Sequence, residues 1–286
     1  MPKLTPVTRE QVCSLNNALP AFPRVVEQIM ETLDDPHSGL EELAACIEHD
    51  PAIVGHIMAL ANRANSSRDG GPVNDVFTAL SLVGLARVRE VAMLVSTGNF
   101  LQGWVPTQDL QGFWAHCISV AVCGVELAHG SDAEIGVDQS LLAGLLHDVG
   151  QLWLLRFRTQ DYAQVKELAA AQDMDIDEAE RMSFGVDHGE IGGWLAESWG
   201  LSPGIVQAIA HHHAPDDWVG EPLVAVVHLS EVLCNALDLT DNETPRVKTV
   251  SQASCRVLGL AWGPESHTLF GRIEARSKHA HTLVGQ

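Results

Sequence analysis

Positive charge is scarce in this 286-residue sequence: 17 Lys and Arg stand against 37 Asp and Glu, leaving a formal charge of −20. A chain with that balance is repelled by phosphates and lacks the counterion release that drives nucleic-acid binding. Nor is there a basic patch or an aromatic stacking motif for bases, with aromatics at 5% of residues. The six cysteines (Cys13, Cys46, Cys117, Cys123, Cys234 and Cys255) form no CxxC pair and lie mostly among apolar neighbours, as small buried thiols do. No run approaches the ~18 uninterrupted apolar residues of a membrane span. The opening Met1-Pro2-Lys3-Leu4-Thr5-Pro6 has no signal-peptide stretch. These absences lead us to expect a soluble, reduced, cytoplasmic protein with no nucleic-acid or membrane partner. Against them stands a hydrophobic content of 46%, too high for disorder, and 14 His, as many as Phe and Trp together.

Strand signals are almost absent as well, and helix signals are frequent. Ser38-Gly39-Leu40-Glu41 reads as a capping box opening a helix to about Glu48. Asp50-Pro51 reads as an N-cap followed by Pro at the first helical position, and Ser202-Pro203 repeats the device before His211. Breakers cluster at 66–72, 98–106, 130–136, 214–222 and 241–245, and no repeat of 20–50 residues appears. The pattern predicts an all-α protein. Residues 98–107, with Gly103 and Pro106, form the best boundary between two helical halves; eleven histidines follow it, against three before. Residues 241–286 carry a mild positive balance of +2. They read as helical from Val247 to about Leu260, and as a solvated helix pair in preference to a docked one.

Helical spacing then picks out polar groups on apolar stripes. His116 aligns with Val120, Cys123 and Leu127, and His188 with Gly192, Leu195 and Trp199. His212 follows Leu201, Ile205 and Ala208. Within a helix read across Leu141–Leu152, Asp148 falls between Leu141, Leu145 and Leu152. Glu231 lines up with Val224, Val227 and Cys234. A buried unpaired carboxylate costs several kcal/mol or more, so such groups must pair or bind metal. With His147 beside Asp148 and His213 beside His212, the set suits one or two ions of Fe, Mn, Zn or Ni in a helical bundle. A metal-free His–carboxylate hydrogen-bond network is the competing account. His37, His49, His267, His279 and His281 read as surface residues.

In this order, His116, His147-Asp148 within Leu145-Leu146-His147-Asp148-Val149-Gly150, His188, His212-His213 and an acid at 231 resemble the HD superfamily of metal-dependent phosphohydrolases. More closely, residues 19–239 resemble an HDOD domain, the HD-related output domain of bacterial signalling proteins. The carriers are Leu19-Pro20-Ala21-Phe22-Pro23, His49-Asp50-Pro51-Ala52 through Ala61-Asn62-Arg63-Ala64-Asn65-Ser66, Ala79 through Arg89, and Phe184-Gly185-Val186-Asp187-His188-Gly189-Glu190-Ile191-Gly192. The resemblance implies a lead over 1–18, an N-terminal helical half over 19–103, an HD-like half over 104–240 and a tail over 241–286. It further implies a metal set of His116, His147, Asp148, His188, His212, His213 and Glu231. Asp148 would be shared, with His116, His147 and Glu231 on one side and His188, His212 and His213 on the other.

Three departures bear on function. Position 231 is Glu where the pattern has Asp. Gln151 stands where active HD phosphodiesterases carry a phosphate-binding Lys. Ala214-Pro215-Asp216-Asp217 replaces the Glu and GYP signature of cyclic-di-GMP phosphodiesterases. The expectation is a regulatory module with a vestigial metal site that acts on signalling-protein partners; the alternative is a metal-dependent phosphohydrolase of nucleotides or phosphodiesters, with Asp148 at its centre.

Overall fold

The computed structural model describes residues 4–33, 40–48, 50–66, 71–104, 111–240, 249–264 and 266–283. Among them every regular element is helical. The first, α1 (Arg9–Leu15), begins at a capping box in which Thr8 and Gln11 exchange side-chain and backbone hydrogen bonds. The chain divides into two units, one of residues 21–101 with 282–286, the other of residues 1–20 and 102–281.

The smaller unit holds α2 (Arg24–Leu33), α3 (Leu40–Ile47), α4 (Pro51–Ser66), α5 (Val76–Val83) and most of α6 (Leu85–Gln102). Asp50 caps α4 by accepting from the Ala52 and Ile53 amides, with Pro51 at the first helical position. The Asn62 side chain accepts from the Val73 amide and donates to the Val73 carbonyl, tying the last turns of α4 to the approach of α5. Ser38 of the expected capping box lies outside the described residues. Gly98 does not break the chain: α6 runs through it to Gln102. Burial of Val91, Leu94, Val95 and Phe100 offsets the ~1 kcal/mol helix cost of a glycine.

The larger unit comprises α1 together with α7 (Gln111–Gly130), α8 (Val137–Leu146), α9 (Val149–Phe157), α10 (Thr159–Gln172), α11 (Ile176–Phe184), α12 (His188–Ser198), α13 (Pro203–His211), α14 (Pro222–Ala236), α15 (Gln252–Val257) and α16 (Ser266–Leu283). Helix α7 packs on α8 and α14, and α12 packs on α9 and α13. Among the described residues only α7 is long and apolar enough to cross a membrane, and 72% of that window is buried within the protein. The helix expected across Leu141–Leu152 is two helices. Helix α8 stops at Leu146 and α9 starts at Val149, so His147 and Asp148 occupy the corner between them.

The C-terminal segment departs from expectation in three ways. Its helices span 252–257 and 266–283, with 241–248 outside the described residues. It is docked: Ile273, Cys255 and Leu258 join Cys123, Leu127, Leu229 and Leu233 in one apolar cluster. Arg272 and Arg276 both donate to the Glu126 carboxylate, at 2.7 and 2.6 Å. His281 is not a surface residue; its Nε2 lies 3.1 Å from both Ser119 Oγ and the Ala115 carbonyl. The charge balance of the segment concealed this, because two of its arginines answer one carboxylate of α7. His267 and His279 are exposed, and His37 and His49 lie outside the described residues.

Two glycines let the corner form. A Cβ on Gly144 would meet the Ala121 backbone, and one on Gly150 would overlap the His188 carbonyl. Gly150→Ala is therefore expected to lower unfolding free energy by about 1–3 kcal/mol in urea denaturation, the usual cost of overpacking. Unchanged stability would contradict the close approach of α9 to α12.

Candidate metal centre

Five structural positions converge on the corner between α8 and α9. His116 projects from the second turn of α7. His147 and Asp148 form the corner itself, Asp148 with φ −97° and ψ 9°, in the sparsely used bridge region. His188 is the first residue of α12, held there by the Asp187 cap, whose side chain accepts from the Glu190 amide. His212 and His213 follow the last residue of α13, and Glu231 lies on α14.

Asp148 is 7% exposed and its carboxylate divides the set. Oδ2 faces His147 Nε2 at 3.3 Å and His116 Nε2 at 3.7 Å. Oδ1 faces His188 Nε2 at 3.1 Å and His212 Nε2 at 3.9 Å. His213 Nε2 approaches His188 Nε2 to 2.7 Å. The donor atoms of Asp148, His188, His212 and His213 lie within 4.8 Å of one another, and so do those of His116, His147 and Asp148. Six of the seven expected residues are thus brought together in two groups sharing Asp148. Glu231 belongs to neither close group: its Oε2 is 3.8 Å from His213 Nδ1, and its charge also acts on His116 and His147. A glutamate arm is one methylene longer than the aspartate of the family pattern.

The imidazoles are oriented from behind. His147 Nδ1 lies 2.8 Å from the Gly144 carbonyl and His212 Nδ1 2.7 Å from the Ile209 carbonyl. A carbonyl only accepts, so both Nδ1 atoms are the donors, and in the neutral ring each Nε2 carries the lone pair. His147 Nε2 is buried with the Asp148 carboxylate 3.3 Å away, and His212 Nε2 and Glu231 Oε2 are buried without a hydrogen bond. His188 Nδ1 meets Glu180 Oε2 at 2.7 Å, and His116 Nδ1 meets Cys234 Sγ at 3.7 Å.

Electrostatics follow the same division. Burial would raise the Asp148 carboxyl, but the charges and hydrogen bonds of His147 and His188 hold it well below the usual range. Burial lowers His147, yet Asp148 beside it leaves the ring raised; His188, between Glu180 and Asp148, is raised well above an ordinary histidine. Burial and the neighbouring imidazoles push His116 down and His212 well down. Nitrogen and carboxylate donors with outer anchors, and buried lone pairs without partners, fit a divalent transition metal.

Three residues of the surroundings were not anticipated. Glu180 sits in the acidic run Asp175-Ile176-Asp177-Glu178-Ala179-Glu180, which looks like a solvated face. Its signal is the stripe Ile176, Glu180, Phe184 at four-residue spacing. Cys234 was placed on the Glu231 stripe without a partner. Tyr162, the one tyrosine in the chain, is buried and donates to Gln151 Oε1 at 3.3 Å.

The HDOD domain family model matches residues 19–215, more than two thirds of the chain. The chain belongs to the HDOD family. The matched region holds His116, His147, Asp148, His188, His212 and His213, and ends before α14. An HDOD domain protein of unknown function from Geobacter sulfurreducens is similar over 96% of this chain and 99% of its own, with TM-score 0.74 and 24% identity. A proposed signal transduction protein from Marinobacter aquaeolei VT8 is similar over 97% of this chain and 60% of its own (TM-score 0.71, 20% identity). A proposed phosphohydrolase from Shewanella amazonensis SB2B is similar over 96% and 98% (TM-score 0.69, 19% identity). These likenesses carry the fold. A curated relative, an uncharacterized protein from Treponema pallidum (strain Nichols), is 24% identical over 231 residues, and the chain spans 44% of its length.

Asp148→Asn keeps the shape of the side chain and removes the charge that raises His147. In metal-stripped protein the His147 imidazole should titrate above ~6.5 in the parent and move down in the variant, followed by NMR of the ring protons. An unchanged titration would show that Asp148 does not set the charge of the cluster.

Proposed function

We propose that this HDOD chain is a regulatory module of bacterial signalling that holds one or two divalent transition-metal ions in the Asp148 cluster and acts through a protein partner in the cytoplasm, without phosphodiester turnover. The observation that carries the metal part is the pair of buried Nε2 atoms on His147 and His212, each ring fixed from behind at Nδ1 and aimed at a shared carboxylate. His188, His212, His213 and Asp148 would hold one ion, and His116, His147 and Asp148 a second. A bound divalent ion supplies Lewis acidity and lowers the pKa of a water it holds.

Among the described residues, the ion pairs of Asp148 are all to imidazoles, with no Lys or Arg paired to it. Gln151 contributes an amide engaged with the Tyr162 hydroxyl, and the nearby Arg181 is taken up by Asp177 and Asp187. A net charge of −20 further opposes an anionic substrate. A phosphohydrolase acting on a nucleotide or phosphodiester is the second reading. It is favoured by the full set of six donors and by a structural relative described as a proposed phosphohydrolase.

Metal at a hundredfold excess over its Kd should stabilise the chain by about 2.7 kcal/mol relative to chelator-treated protein. Asp148→Ala should abolish that gain in thermal melts. In the same preparations, Mn-loaded protein is expected to turn over neither cyclic-di-GMP nor an aryl phosphodiester. Turnover that disappears in Asp148→Ala would replace the regulatory reading with the hydrolase.

A further inference from the structure

We propose that Glu180 is the positioning residue of this centre: its buried carboxylate fixes the tautomer and orientation of His188 so that Nε2 is presented as a metal ligand. Glu180 is 0% exposed, on α11, and one of its oxygens accepts two hydrogen bonds from the same residue. The His188 backbone N–H donates to Oε2 at 2.7 Å, and Nδ1 lies 2.7 Å from that same atom. The first contact satisfies one of the amides that every helix leaves unpaired in its opening turn, and it places a negative charge at the positive end of α12. The second requires Nδ1 to carry the proton, because a carboxylate only accepts. In the neutral ring that binds a metal, Nε2 is then the lone-pair nitrogen, and it is the atom that faces Asp148 Oδ1 at 3.1 Å and His213 Nε2 at 2.7 Å.

Glu180 differs in kind from the other anchors of the cluster. His147 and His212 are held by neutral backbone carbonyls and His116 by a thiol, whereas His188 is backed at 2.7 Å by a carboxylate; the Glu231 carboxylate stands farther from His213 Nδ1, at 3.8 Å. A carboxylate behind an imidazole raises the basicity of the far nitrogen and strengthens its bond to a metal. A buried carboxylate is costly to keep, and a helix cap alone would be served by a neutral oxygen. The Tyr162 phenol lies close enough to Glu180 for its own proton to be held well above the usual range by burial and by that charge. The inference rests on the reading that the cluster holds metal.

The test is zinc binding to the metal-stripped full chain, measured by calorimetry for the parent, Glu180→Gln and Asp177→Asn. Glutamine keeps the size and the accepting oxygen of Glu180 but loses the charge. Asp177 is another buried carboxylate of α11, which pairs with Arg181 at 2.5 Å instead. Glu180→Gln should weaken zinc binding by about 10- to 100-fold, and Asp177→Asn should leave it unchanged. Parental zinc affinity in Glu180→Gln would overturn the proposal while leaving the metal reading intact. No zinc binding by the parent would overturn the metal reading itself and the proposal with it. A second measurement needs no variant: nitrogen NMR of zinc-loaded, histidine-labelled parent should show His188 protonated at Nδ1. A proton on Nε2 of His188 would overturn the proposal even if Glu180→Gln failed to fold.

Discussion

Everything at the centre depends on one buried anion. The Asp148 carboxylate is drawn out of water at the corner between α8 and α9, where an unpaired charge would cost several kcal/mol. Four imidazoles from four separate stretches of chain lie within 3.9 Å of it. The helices of the larger unit are arranged around that convergence: α7 brings His116, α12 begins with His188, and α13 ends just before His212. The close approaches at Gly144 and Gly150 bring α8 against α7 and α9 against α12, so that the corner reaches its partners. A cluster of this kind either shares protons among its imidazoles or binds a cation, and the buried His212 Nε2, pushed toward its neutral form and without a hydrogen bond, favours the cation.

The fold class and four members of the cluster, His116, Asp148, His188 and His212, were legible because helical periodicity converts directly into faces; His147 and His213 came in as their sequence neighbours. A histidine on an apolar stripe announces that it points inward, whatever it meets there. Periodicity has no information about a corner, and the Leu141–Leu152 stripe that selected Asp148 runs across a helix break. The residue was found for its apolar neighbours, while its real position comes from the turn it occupies. Glu231 was placed correctly on the buried face of α14, but a face fixes direction and not reach, and its carboxylate stops 3.8 Å from His213 Nδ1. The docked C-terminal segment escaped notice for a related reason. Net charge over 46 residues averages away the local geometry in which Arg272 and Arg276 meet Glu126. Glu180 was lost in an acidic run that mixes exposed and buried carboxylates, Glu178 facing solvent and Asp177 turned in toward Arg181.

The centre is built more carefully at its back than at its front. Nδ1 of every imidazole facing Asp148 is engaged, by a carbonyl, a carboxylate or a thiol, whereas among the described residues no Lys or Arg is paired to Asp148. The C-terminal helices brace the same elements: Ser251, the cap of α15, contacts Asp216 Oδ1 and His228 Nε2, and His228 Nδ1 donates to the His212 carbonyl. Ligand loop and C-terminal segment therefore share one polar network within the larger unit.

The most direct test of this account is anomalous diffraction from crystals of the full chain grown with zinc or manganese and collected at the absorption edge of the metal. The account predicts a peak with Nε2 of His212 and His188 at about 2.0–2.1 Å if the ion is zinc, sharing Asp148 with any second ion beside His116 and His147. A metal-saturated crystal with no peak there, and with the imidazoles closed onto Asp148 and each other through hydrogen bonds, would contradict it.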